Sequence, residues 1–243
     1  MEKTILLISP WRLVLILIPV ILVILIFYKW SLGYKNALYA VTRMLGQLLI
    51  IGYLLTYIFD SQNVVLIFGV LLVMVFASSW IALGTVKAIR RKLLLQTIYA
   101  ALIGGGFILI LITQGVLDLH PWYQPQYLIP LAGMIFANAM NSISLAAERF
   151  ASEISRNGDY IKSRQAAFNA ALIPIINSLF AVGLVSLPGM MTGQILSGVS
   201  PLLAVRYQIM VMCMIFGAGG MATFLFLHFA KDYVDDFLRE KTL

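Results

Sequence analysis

Apolar stretches recur seven times along this chain, near residues 9–28, 37–59, 64–84, 93–117, 127–147, 166–187 and 207–230. As a helix rising about 1.5 Å per residue, each is long enough, or nearly so, to cross about 30 Å of hydrocarbon. With 61% hydrophobic and 11% charged residues over 243 positions, no water-soluble domain could bury what these stretches expose. The chain therefore reads as all-α, a polytopic transmembrane bundle of about seven spans, with residues 1–243 forming one domain of a multi-pass cell (inner) membrane protein. The run Leu13–Tyr28 has the size of a signal-peptide core, but Lys29-Trp30-Ser31 follows it without a cleavage pattern, so a retained helix is expected.

Orientation follows from the basic residues. Lys29, Lys35 and Arg43, then Lys87, Arg90, Arg91 and Lys92, then Arg149, Arg156, Lys162 and Arg164, and finally Lys231, Arg239 and Lys241 share one side. Only Lys3, Arg12 and Arg206 fall on the other. Because basic residues stay cytoplasmic, the N-terminus is expected outside and the C-terminus inside. The same distribution accounts for the net charge of +7 without a nucleic-acid partner. Membrane lipid is the expected surrounding.

Several chemistries are excluded. One cysteine, Cys213, permits no intrachain disulfide and no Cys-based zinc site. His120 and His228 fall on opposite sides and cannot share a metal. There is no Gly-rich phosphate loop with its Lys-Ser/Thr, so the chain does not bind ATP by itself in that way, and no cofactor is expected in it. Gly104-Gly105-Gly106, and Gly217, Gly219 and Gly220, lie in apolar spans and read as close helix packing.

Polar residues within the spans say more. Asn138 and Asn141, three apart, share a face of the fifth span, and Asn177 and Ser178 lie midway along the sixth. Such groups either hydrogen-bond between helices or line a polar pathway, and both readings are open. Arg43 and Gln47 share a face of the second span, where Arg43 could snorkel to the interface. Pro188-Gly189 is expected to end the sixth helix, with Met190 and Met191 as adaptable packing at an outer gate. Beyond it, residues 188–206 suggest a short interfacial or re-entrant helix. Residues 148–165 read as a charged inside loop with a turn at Asn157-Gly158-Asp159, in which Phe150 and Ile154 form an apolar helical edge that either meets a partner or packs on the chain's own helix ends.

Five runs carry a family resemblance: Arg43-Met44-Leu45-Gly46-Gln47-Leu48 with Gly52-Tyr53; Ile129 to Ile135 with Asn138-Ala139-Met140; Ala170 to Pro174; Gly183 to Gly193, which reads GLVSLPGMMTG; and Arg206 to Val211. They resemble the iron-export permeases of the FetB type, related to plant aluminium-tolerance permeases. The resemblance implies a homodimeric permease of an ABC transporter, driven by a separate ATPase subunit that holds the ATP. The implied cargo is iron or another metal, with a sugar nucleotide as the alternative. On that reading Asn138, Asn141, Asn177 and Ser178 line the pathway, Pro188, Gly189, Met190 and Met191 form the outer gate, and Phe150 and Ile154 meet the ATPase. One departure is a shorter inside segment between the fifth and sixth spans than that family carries. A secondary transporter would need coupling-ion ligands, and the spans offer no Asp or Glu for the task. A scaffold subunit would need no polar pathway, and an intramembrane enzyme would need a titratable cluster that the spans lack.

Overall fold

In the computed structural model, residues 9–60 and 63–231 are described. Ser61 and Gln62, in the expected polar turn after the second span, lie outside them, as do Lys3, Arg239 and Lys241. Contacts divide the chain into two units, 1–61 and 62–243.

The first unit holds three helices, α1 (Pro10–Val14), α2 (Leu17–Lys29) and α3 (Tyr34–Asp60). Ser31, at φ 54°, lies in the turn after α2, and Tyr28 meets Tyr34 edge-on across it, with ring centres 5.3 Å apart. Within α3 the Thr42 and Thr56 hydroxyls donate to the Leu38 and Gly52 carbonyls at 3.0 and 3.1 Å. Hydroxyls embedded in a spanning helix can be satisfied in this way by the helix itself. Arg43 and Gln47 are both exposed on α3.

The second unit is the bundle. α4 (Val64–Ala82) starts at Asn63, whose Oδ1 accepts from the Val65 and Leu66 amides at 2.9 and 3.4 Å. A 3-10 turn over Lys87–Ile89 leads into α5 (Arg90–Ala100). Arg90 reaches back to the C-terminal turn of α4. Its Nε donates to the Trp80 carbonyl at 2.9 Å, and its guanidinium lies 3.7 Å from the Trp80 ring centre. One side chain thus satisfies an orphan helix-end carbonyl and adds a cation–π contact.

The same rod continues through a π segment (Ala101–Gly105), α6 (Gly106–Ile110) and a second π segment (Leu111–Val116). The first π segment lies against the backbone of α10 and the side chain of Phe136: a Cβ built on Gly104 would lie 2.8 Å from the Ala222 nitrogen, and one on Gly105 2.9 Å from Phe136 Cε1. Packing therefore explains Gly104 and Gly105, as it does Gly217 and Gly219. Gly106 and Gly220 have open space around them.

α7 (Pro125–Asn157), α8 (Tyr160–Ala181), α9 (Gly189–Leu196) and α10 (Pro201–Phe229) complete the unit. The 33 residues of α7 span about 50 Å, well beyond a hydrocarbon core. The expected loop over 148–165 is thus corrected: most of it is helix. Only Gly158, left-handed at φ 65°, and Asp159 separate α7 from α8. Asp159 caps α8 through the Ile161 and Lys162 amides at 2.9 and 3.1 Å. The Lys162 amide bond above all holds the Asp159 carboxyl below the usual carboxylate range.

Six described helices are long and apolar enough to cross a membrane. α8, the expected sixth span, forms but falls short of that apolarity, since Arg164, Gln165, Asn169 and Asn177 interrupt it. It is sheltered instead by α7 and α10, through buried Ser163, Ala167, Ala171, Leu172 and Ile175. The core has two layers. One, around Leu83, Leu93, Phe150 and Phe226, lies at the end carrying the basic residues, and the other, around Ile67, Ile108, Phe136 and Met214, lies toward the opposite end.

Candidate functional site: two cavities in the bundle

Asn138, Asn141, Ser142 and Leu145 follow the i, i+3, i+4, i+7 spacing of one face of α7. Ala171, Pro174, Ile175 and Ser178 repeat that spacing on α8. Together with Met212 and Ile215 of α10, and Val182, Ser186 and Pro188 of the following loop, they line one cavity of about 320 Å³. Its lining holds amides, hydroxyls and apolar groups but no charge. Gly219 lets α10 close against it, since a Cβ there would lie 2.6 Å from Ile175 Cδ1 and 2.8 Å from Ser142 Oγ.

The sequence-derived pathway residues are thus brought together with one exception. Asn138, Asn141 and Ser178 line the cavity, while Asn177, one residue from Ser178, is exposed and outside its lining. The hydrogen bonds of Asn138 and Ser178 do not cross between helices. Asn138 Nδ2 donates to the Met134 carbonyl at 2.8 Å and Ser178 Oγ to the Pro174 carbonyl at 2.9 Å, each in its own helix.

Two expectations about this region are corrected. Asn177 and Ser178 do not lie midway along their helix but near its end, because α8 starts at Tyr160 and stops at Ala181. Nor does Pro188-Gly189 end that helix. Val182 turns extended, Gly183 takes φ 83°, and the Ala181 carbonyl accepts the amides of Leu184, Val185 and Ser186. Pro188 instead caps α9, and Gly189 is its first residue. The expected short helix after the sixth span is present as α9.

A second cavity, of about 260 Å³, lies toward the end opposite the basic residues. Met134 and Tyr127 of α7, Met190 and Gln194 of α9, and Tyr207 and Met210 of α10 line it. The gate residues are therefore divided: Pro188 faces the first cavity and Met190 the second, while half-buried Met191 and exposed Gly189 line neither. Sequence reasoning missed Met134 and Met210 of the second cavity, and Gln208, which is buried on α10 outside both linings with its amide unpaired among the described residues. For Gln208 the signal was the one used for Asn177, an amide inside an apolar span. The two methionines carry no such mark.

At the basic end, Glu153 is 5% exposed and gripped by Arg149 and Arg156, each with Nη2 2.7 Å from a carboxylate oxygen. Of the two readings of the Phe150 and Ile154 edge, the structure shows packing on the chain's own helices: they are 5% and 6% exposed. The length of α7 turns them onto the chain's own core, where Phe150 meets Tyr160 edge-on at 6.0 Å. Both still line an apolar cavity of about 410 Å³ with Val86, Ile89 and Phe226. Among the described residues no three His, Cys, Asp or Glu side chains gather where they could hold a metal ion.

The UPF0014 family, described as an uncharacterised protein family, matches residues 10–164 and 161–234. The two matches overlap at residues 161–164, in the first turns of α8. A UPF0014 membrane protein of Synechocystis is 39% identical over 76% of this chain and 78% of its own length. The probable iron export permease protein FetB of Escherichia coli K12 is 33% identical over 91% of both chains. The protein ALUMINUM SENSITIVE 3 of Arabidopsis thaliana is 30% identical over 85% of this chain and 80% of its own. No solved structure matches.

Proposed function

Since this chain belongs to the UPF0014 family, a family of multi-pass membrane proteins that takes in a named permease, we propose that it is the membrane-spanning subunit of an ABC transporter exporting iron or another metal. The observation that carries the reading is the uncharged, partly polar cavity between α7, α8 and α10, in a chain alike to FetB along 91% of its length. Asn138, Asn141, Ser142 and Ser178 line the route, and Met190 belongs to its mouth. Neutral oxygens suit passage better than capture: they can accept hydrogen bonds from a cation's water without holding the ion as a carboxylate cage would.

The two units serve one permease domain, and two copies form the working dimer. The basic end is cytoplasmic. A separate ATPase docks there, at the α7–α8 turn, beside the apolar cavity that Phe150 and Ile154 help to line. Energy for export comes from ATP held by that partner.

The chain purified alone is expected to hydrolyse no ATP, and to stimulate hydrolysis once its ATPase is added. Both are read by phosphate release in detergent or nanodiscs. Hydrolysis by the isolated chain, or an ATPase indifferent to it, would remove the permease-subunit reading.

A further inference from the structure

The two cavities lie in series, and three elements pass from one to the other within about one helical turn. On α7, Met134 lines the second cavity and Asn138 the first, tied by the Asn138 amide bond at 2.8 Å. At the start of α9, Pro188 lines the first and Met190 the second. On α10, Tyr207 and Met210 line the second, and Met212 and Ile215 the first.

Gln208 lines neither cavity: it stands between Tyr207 and Met210 of the second, on the helix face that carries Met212 and Ile215 of the first. It is 5% exposed, and among the described residues neither its Nε2 nor its Oε1 meets a hydrogen-bond partner. Met212 and Ile215 lie four and seven positions on, so Gln208 stands on the helix face that borders the first cavity. An amide with both ends unpaired is an expensive thing to bury, and native cores seldom contain one. Gln194, on the wall of the second cavity, also has a buried and unpaired Oε1. Unpaired buried oxygens also occur on Ser79, Gln96 and Thr223, which line neither cavity, but Gln208 alone has both ends of its amide unpaired among the described residues.

We propose that the step between the cavities is a closed gate and that Gln208 is the residue a cation meets there, its Oε1 accepting hydrogen bonds from the cation's bound water. The inference rests on the metal-permease reading above. Opening requires α9 to move off α10. Gly183 at φ 83° and Gly198 at φ 97° bracket the segment that carries α9, and neither has a neighbour within 4 Å of a built Cβ. The closed state leaves the amide unsatisfied, and passage satisfies it, so the polar cost falls where the barrier to transport would otherwise stand.

Gln208→Met keeps the side chain's length and removes both polar atoms, with Gln208→Leu as a second variant. The melting temperature of the purified chain is expected to rise by about 3 °C or more. ATP-driven uptake of radioactive iron(II) into inverted vesicles holding the chain and its ATPase should fall at least about tenfold. Gln208→Cys, in a Cys213→Ala background, should react with a small cationic methanethiosulfonate about tenfold faster during ATP turnover than at rest, as a rarely open state becomes populated. A lowered melting temperature in both variants would show a bonded, structural amide. Unchanged uptake, or labelling no faster on turnover, would place Gln208 off the route. Any of these overturns the proposal. Wild-type vesicles that turn over ATP without taking up iron would overturn the cargo and not the gate, because the melting and labelling results do not depend on iron.

Discussion

Gly104→Val is expected to abolish the folded bundle. A Cβ at this position would lie 2.8 Å from the Ala222 nitrogen, 3.0 Å from its Cα and 3.1 Å from the Met221 carbonyl carbon. All three are backbone atoms in the middle of α10, so no rotamer change can make room. The two rods would have to separate, and α10 also packs on α7 and α8, so the strain reaches the cavity walls. Overpacking costs about 1–3 kcal/mol where side chains can shift, and more where, as here, the clash is with helix backbone. The variant should be lost from the monodisperse peak in detergent, while Gly106→Ala and Gly220→Ala, with nothing within 4 Å, should melt near the wild type. A stable, monodisperse Gly104→Val protein would mean that the π segment does not pack on α10 as described.

Ser178→Phe is the second large effect, and it falls on function with the fold intact. Ser178 is exposed, lines the cavity of about 320 Å³, and gives up only a hydrogen bond to a carbonyl of its own helix. Stability should change by about 1 kcal/mol or less. A phenyl ring there would occupy the space between α7, α8 and α10. Transport should fall at least about a hundredfold, which corresponds to a barrier higher by about 2.7 kcal/mol. Asn177→Leu, one residue away and outside the cavity, should transport within about twofold of the wild type, a change of under about 0.5 kcal/mol. Equal damage from the two would show that the cavity is not the route.

Much of this architecture is legible in the sequence because lipid simplifies the code. A spanning segment must be a helix, so hydropathy alone locates α2, α3, α4, the π-interrupted rod, α7 and α10. The polar faces are legible for the same reason: Asn138 and Asn141 stand out in an apolar run. Helix ends are harder. Nothing in hydropathy says that α7 continues past Ala147, because its last turns are held by Glu153 between two arginines and by Phe150 and Ile154 on the core. That continuation hides the apolar edge which a loop would have exposed. Likewise Val182 to Leu187 are apolar enough to read as helix, and the break there is set by the Ala181 carbonyl and the turn at Gly183. Met134 and Met210 join Met190 only through tertiary packing, which no spacing along one chain reveals.

The central claim, a metal permease powered by a separate ATPase, is tested most directly by iron movement in inverted membrane vesicles. Vesicles from cells expressing the chain together with its ATPase are expected to take up radioactive iron(II) when ATP is supplied. Vesicles with either chain alone, or supplied with a non-hydrolysable ATP analogue, are expected to take up none above background. Uptake that is the same with and without this chain, or that persists without ATP hydrolysis, would contradict the account.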